Sequence, residues 1–312
     1  MAELKRARAY LISDQSDHSG VTHPHLICHL FASVALLAQG CEREPRPPRM
    51  PTIVDGMTDR VDAQRPDAPR ELIWSDEFEG ATGARPDPRS WTYDVGGHGW
   101  GNQQLEYNTD RAENVSLNGE GQLVITARRE AYQGNEYTSA RIKTQGLFDV
   151  QYGRIEARIK LPTGAGIWPA FWMLGQNFDE VGWPHCGEID IMEHRGQRPR
   201  ESTGALHGPG FSAGDSLGGA ATVDVDLSLD YHIYAVEWTR DGIDWFLDDE
   251  RFLSVDVDDL PKGSSWPFNQ PFFLILNVAV GGTYVGNPDE RTALPQELTV
   301  DYVRVYAEPE TR

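Results

Sequence analysis

The sequence predicts an all-β fold built as a two-sheet sandwich, and three observations carry that prediction. From Leu72 onward, about a dozen short runs rich in β-branched and aromatic residues alternate with turn clusters. Nine Trp, eleven Tyr and eleven Phe accompany 31 Gly and 20 Pro, a composition that suits twisted, loop-rich β structure. Helix signals are almost absent.

Taken in order, Leu72-Ile73-Trp74 with Phe78 opens the folded part. Leu117 to Thr126 places a Gly-rich turn before a strand. Gly153 to Leu161 alternates apolar with charged residues, as a strand with one wet face does, and its Arg and Glu are expected to be solvated or paired across strands. Trp168-Pro169-Ala170-Phe171-Trp172-Met173-Leu174 follows a Gly-rich loop. Beyond it, Gly204 to Gly208 carries His207, and Tyr231–Trp238 with Ile243–Asp249 reads as a hairpin about Arg240-Asp241-Gly242. Pro271 to Gly282 is a buried strand interrupted by Asn277, whose amide must find a hydrogen bond. Leu298 to Tyr306 alternates cleanly and closes the domain.

One stretch departs from ordinary strand chemistry. Glu188-Ile189-Asp190-Ile191-Met192-Glu193 places three carboxylates in an apolar run that follows Gly187. Strict alternation puts Glu188 and Asp190 on one face and leaves Glu193 on the other. A β-bulge at Ile191-Met192 restores Glu193 to the shared face. Three acids on one wall repel one another, so at least one pKa should rise and a proton should be shared. That is what glycoside hydrolysis needs from a nucleophile and a general acid. A metal-binding cluster and an acidic surface strand are the alternatives. Trp168, Trp172 and Trp183 flank the acids in sequence. Indole faces stack on sugar rings, although core packing is the simpler role for a tryptophan.

The formal charge of −20, from 48 acids against 28 bases, argues against nucleic acid or an anionic membrane as partner, and a neutral ligand fits better. Residues 1–40 read as a leader: Leu26 to Ala38 is an apolar stretch of signal-peptide length, and the true start is expected nearer Val21. Leu37 to Cys41 resembles a bacterial lipobox, with Cys41 as a candidate lipid anchor. Residues 41–70, rich in Pro and charge, read as a tether. The folded domain is expected over 71–308. Cys28, Cys41 and Cys186 do not suggest a disulfide framework.

The run Glu188 to Glu193 resembles the E-x-D-x-x-E signature of the family 16 glycoside hydrolases. Five further blocks resemble the bacterial laminarinase branch of that family, in the expected order. They are Trp74–Phe78, Gly99–Tyr107, Tyr137–Ile142, Trp168–Leu174 and Asp301–Tyr306, so the resemblance covers roughly residues 71–307. It implies a concanavalin A-like β-jelly-roll whose concave sheet forms an open substrate cleft, and endo-acting, retaining hydrolysis of β-1,3-glucan without a catalytic cofactor.

Carried over by position, the resemblance makes Glu188 the nucleophile, Glu193 the general acid/base and Asp190 their helper. Trp168 and Trp172 match sugar-stacking positions. Asn102, Arg141 and His207 match positions that contact sugar hydroxyls, each with a structural alternative: a loop cap, a cross-strand ion pair and a satisfied core histidine. Glu77, Gly119 and Asp301 resemble a structural calcium site on the convex side. The inserted Met192 separates the chain from the mixed-linkage lichenases, but agarases and carrageenases share the bulged form. Arg195, Arg198 and Arg200 therefore keep a sulfated galactan open as substrate. A non-catalytic glucan-binding protein on the same scaffold is a further alternative. The expected protein is a monomer, secreted or lipid-anchored at a bacterial envelope, with a polysaccharide as its partner.

Overall fold

The computed structural model describes residues 70–308. The expected leader, Cys41 and all of the expected tether except Arg70 lie outside the described residues. Arg70 is ion-paired to Glu237 at 2.8 Å.

The first six strands are β1 (Leu72–Asp76), β2 (Thr92–Tyr93), β3 (Glu106–Asn108), β4 (Val115–Leu117), β5 (Leu123–Tyr132) and β6 (Asn135–Ser139). Next come β7 (Arg141–Lys143), β8 (Gly153–Lys160), β9 (Ile167–Gly175), β10 (Glu188–Glu193), β11 (Glu201–His207) and β12 (Leu217–Thr222). The last five are β13 (His232–Trp238), β14 (Gly242–Leu247), β15 (Glu250–Asp256), β16 (Phe272–Val280) and β17 (Gln296–Tyr306). The expected hairpin is β13–β14. Four of the strands beyond the expected dozen, β2, β3, β4 and β7, are two or three residues long, too short to show alternation in a sequence.

Two sheets form the sandwich. The larger runs β15-β14-β13-β8-β17-β5-β6-β3, with β1 added on β17 and β4 on β5; the smaller runs β12-β11-β10-β9-β16-β7-β2. As expected, the charges on β8 pair across strands: Arg154 with Glu237 on β13 at 3.1 Å, and Arg158 with Asp301 on β17 at 2.8 Å. β16 is buried along its whole length. Phe272, Leu274, Leu276, Val278 and Val280 enter the core between the sheets, while Phe273 and Ile275 pack on the outer face of the smaller sheet. Each such side chain contributes roughly 1.5–3 kcal/mol of hydrophobic stabilisation. That two-sided burial explains an apolar run broken only by Asn277.

β10 lies inside the smaller sheet, between β9 and β11. Gly187, which leads into it, has φ +79°, and a Cβ there would lie 2.9 Å from both Phe272 and Pro267, so only glycine fits. The expected bulge is present. Glu188, Ile189 and Asp190 pair with Leu174, Met173 and Trp172; then Met192 pairs with Phe171 and Glu193 with Ala170, one residue out of step. The same shift occurs against β11, where Asp190 faces Ala205 and Glu193 faces Thr203. Ile191 and Met192 both join the core.

A tryptophan from the opposite sheet holds this irregularity. Trp245 of β14 donates its indole N–H to the backbone carbonyl of Asp190 at 2.8 Å. The ring reaches β10 because Gly204 on β11 leaves room; a Cβ on Gly204 would lie 2.4 Å from the ring. Replacing Gly204 by Ala should therefore lower unfolding stability by about 1–3 kcal/mol, read as a shifted urea midpoint at unchanged m value. An unchanged midpoint would show that the ring has room to move aside.

Candidate active site

The bulge turns three alternating acids into one wall. Glu188, Asp190 and Glu193 all line a cavity of about 670 Å³ on the outer face of the smaller sheet. Trp168 and Trp172 of β9, His207 of β11, Arg141 of β7, Asn277 of β16 and Asn102 from the loop before β3 line it too. Every catalytic and substrate-contact residue singled out in the sequence thus comes to one place.

Each acid has its own polar neighbours. Glu193 Oε1 accepts the indole N–H of Trp168 at 3.0 Å. The Trp168 ring packs on Tyr284, with centroids 5.1 Å apart. The hydroxyls of Tyr284 and Thr203 are 2.9 Å apart, and Thr203 Oγ1 donates to the Glu193 carbonyl at 3.2 Å, which leaves Tyr284 as the donor of their shared bond. At the other end of the strand, His207 Nε2 stands 3.1 Å from Asp190 Oδ2 and 3.7 Å from Glu188 Oε1. Removal from water is the largest cause pushing all three carboxyls up to about 8. Repulsion from Asp190 adds to the rise at Glu188 and Glu193; His207 and Arg141 oppose it at Glu188, and His207, the Trp168 N–H and Arg195 oppose it at Glu193.

The second aromatic group lies along β9 and β7. Trp172 donates its N–H to Asn277 Oδ1 at 2.8 Å, which supplies the partner that a buried asparagine requires. The Arg141 guanidinium lies between two rings, 4.6 Å from the centroid of Trp172 and 5.0 Å from that of Trp100. It also forms the cross-strand type of ion pair, to Asp94 at 2.9 Å, and Lys143 reaches the same carboxylate at 2.5 Å. Trp183 stands at the cavity margin, 44% exposed, near His207. Asn102 serves the loop through its backbone: its carbonyl accepts the Thr283 N–H at 2.9 Å.

Other expectations resolve differently. The three arginines after the motif are engaged by acids: Arg195 and Arg198 by Glu201, and Arg200 by Asp226 at 3.0 Å. None of the three lines the cavity. The Cys186 thiol is buried and pushed up to about 11, which makes it unreactive. His194 is buried, and its Nδ1 lies 2.8 Å from the Glu201 carbonyl.

The carboxylates at the expected calcium positions are engaged by arginines. Both carboxylate oxygens of Glu77 bond to Arg304, at 2.9 and 2.8 Å, and Asp301 pairs with Arg158. Gly119 can offer only its backbone carbonyl, an oxygen of the kind calcium accepts. Among the described residues, the acids and histidine close enough together to share an ion are Glu188, Asp190 and His207 instead.

Sequence reasoning missed Asp94, Trp100 and Tyr284 as parts of this cavity. Trp100 lies inside one of the blocks quoted above, and Tyr284 follows two glycines at the end of a buried strand, which is a weak loop-aromatic signal. Asp94 had none, because it acts only through Arg141 and Lys143, which are distant in sequence.

Comparison with known proteins agrees with the geometry. The model of the family "Glycosyl hydrolases family 16" matches residues 100–304. The chain is 47% identical over 246 residues to a β-glucanase of Rhodothermus marinus, covering 76% of this chain and 85% of that one. Among solved structures, the laminarinase catalytic domain of Thermotoga maritima matches with a TM-score of 0.72 and 48% identity, over 77% of this chain and 98% of that one. An endo-β-1,3-glucanase of Pyrococcus furiosus matches with a TM-score of 0.72 and 45% identity, over 76% and 94% of the two chains.

The raised carboxyls make a stability prediction. A carboxyl held at about 8 in the folded protein, against 3.8–4.5 for an ordinary one, binds its proton more tightly when folded. Its stabilisation is complete below pH 4 and is lost as pH rises through about 8. Asp190→Asn removes one such group, so its thermal midpoint should fall less than that of the unmodified protein between pH 5 and pH 8.5. Parallel curves for the two proteins would contradict the raised values.

Proposed function

Because the chain belongs to glycosyl hydrolase family 16, we propose that it is an endo-acting β-1,3-glucanase that cleaves laminarin-type glucans with retention of configuration. The observation that carries this reading is the bulged strand, which brings Glu188, Asp190 and Glu193 to one cavity with Trp168 and Trp172.

In the first step, a Glu188 oxygen attacks the anomeric carbon from one face. Glu193 gives its proton to the departing glycosidic oxygen, so a glycosyl ester forms as the sugar–oxygen bond breaks. In the second step the ionised Glu193 takes a proton from water, the water oxygen attacks the same carbon, and Glu188 leaves as carboxylate. A Glu193 held at about 8 is protonated at neutral pH, which is the form the first step requires. Glu188 must start ionised. Arg141 and His207 favour its charge, and a proton on Asp190 would remove the nearest repulsion.

Trp168 and Trp172 have their N–H groups already bonded, so what remains for a sugar is the ring face. With none of the three arginines beyond the motif lining the cavity, a neutral glucan suits it better than a sulfated galactan. The leader and Cys41 support export to the envelope, with or without a lipid anchor, and a monomer suffices because the described chain supplies all three acids.

Glu188→Gln should reduce laminarin hydrolysis by at least about 10³-fold with the thermal midpoint little changed. Proton NMR during early turnover by the unmodified protein should show the β-anomer first. Full activity in the variant, or an initial α-anomer, would reject the assignment.

A further inference from the structure

Glu188, Asp190 and His207 bring two carboxylate oxygens and a ring nitrogen within 4.8 Å of one another. Such a group has two physical readings. As a metal site it is dimensionally sound: the separations from His207 Nε2, 3.1 and 3.7 Å, bracket the roughly 3.3 Å edge of a tetrahedron with zinc–ligand bonds near 2.0–2.1 Å. As a hydrogen-bonded group, it needs a proton on Nε2.

The turn after β11 discriminates between them. The backbone N–H of Ala213 donates to His207 Nδ1 at 3.0 Å. Nδ1 therefore presents its lone pair, and the neutral ring carries its proton on Nε2, facing Asp190 and Glu188. A metal on Nε2 would expel that proton. Histidine ligands ordinarily donate from their other nitrogen to an acceptor, and here the group waiting at Nδ1 is itself a donor. Ala213 has φ +50°, a left-handed conformation that an L side chain adopts at a cost. Asp190 Oδ2 is buried with no aligned donor, so the nearby Nε2 proton is the group placed to satisfy it after a modest ring rotation.

We propose that the Ala213 amide locks His207 in the Nε2–H tautomer, which makes His207 a positioning residue for Asp190 and Glu188 and bars a divalent metal from the acid cluster. The tautomer is independent of the hydrolase reading; only its consequence for rate rests on that reading.

The test uses the full chain labelled with ¹⁵N in its histidine rings. Long-range proton–nitrogen correlation above the titration range of the ring should give the Nε2–H pattern for His207, identified by its loss in His207→Gln. Equimolar zinc chloride should leave those resonances in place. An Nδ1–H pattern, or stoichiometric zinc binding that shifts His207 and disappears in His207→Gln, would overturn the proposal even with laminarin hydrolysis intact. In kinetics, His207→Gln places an amide N–H near the Nε2 position, whereas His207→Asn places one near Nδ1. The Gln variant should retain kcat/KM better by about tenfold or more. Equal losses in two folded variants would also overturn it. Absence of hydrolysis in the unmodified protein, with the Nε2–H pattern present, would instead reject the hydrolase reading alone.

Discussion

The site depends on a hydrogen bond that crosses the sandwich. Trp245, from the larger sheet, donates to the carbonyl of Asp190 at the point where β10 slips its register against both neighbours. Without the slip, Met192 would face the cavity and Glu193 would point into the core. That would expose an apolar side chain worth roughly 1.5–3 kcal/mol of burial, and it would set a carboxyl among residues that offer it no partner. With the slip, Ile191 and Met192 both reach the core while all three acids stay on the outer face. The core thus stabilises the bulge, and the bulge assembles the acids. Gly204 and Gly187 matter for the same reason, since each removes a side chain from a place that an aromatic ring needs.

Around the acids, aromatic groups act through their polar edges as much as through their faces. The indole N–H of Trp168 holds Glu193, and that of Trp172 holds Asn277 on the neighbouring strand. Both rings are thereby fixed in plane, so their faces are organised before a sugar arrives, which reduces the ordering cost of binding. Tyr284 and Thr203 brace the Trp168 side. Arg141, between Trp100 and Trp172 and tied to Asp94, braces the other. Burial favours its loss of charge, yet its place near Glu188 and Glu106 favours retention. It contributes positive potential toward the nucleophile position without an exposed cationic patch.

Charge elsewhere is handled by local pairing. Although the chain carries a net charge of −20, the arginines near the motif are matched to Glu201 and Asp226, and those on the larger sheet to Glu77, Glu237 and Asp301. Pairing engages the side chains that sequence offered for a basic rim and for a calcium site. In each case the acid or the base was present as expected. The partner lies six and three residues away for Arg195 and Arg198, but 227 residues away for Glu77.

Much was legible in the chain alone. Alternation over Gly153–Lys160 and Gln296–Tyr306, the apolar run of Phe272–Val280 broken only by Asn277, and the spacing of Glu188, Asp190 and Glu193 each encode a local rule: a wet face, a doubly buried strand, a bulge. Local rules suffice when the determining neighbours lie on the same strand. The inserted Met192 belongs here, since two adjacent apolar residues can both enter the core on one side of a sheet only through a bulge. What the tertiary structure alone decided was pairing across strands: Trp245 on the Asp190 carbonyl, Asn277 bonded to Trp172, Asp94 between Arg141 and Lys143, and Glu77 with Arg304. Those contacts join residues far apart in sequence at distances near 3 Å, where direction as well as proximity sets the chemistry. A residue's type permits such a bond, but only the folded backbone chooses its partner.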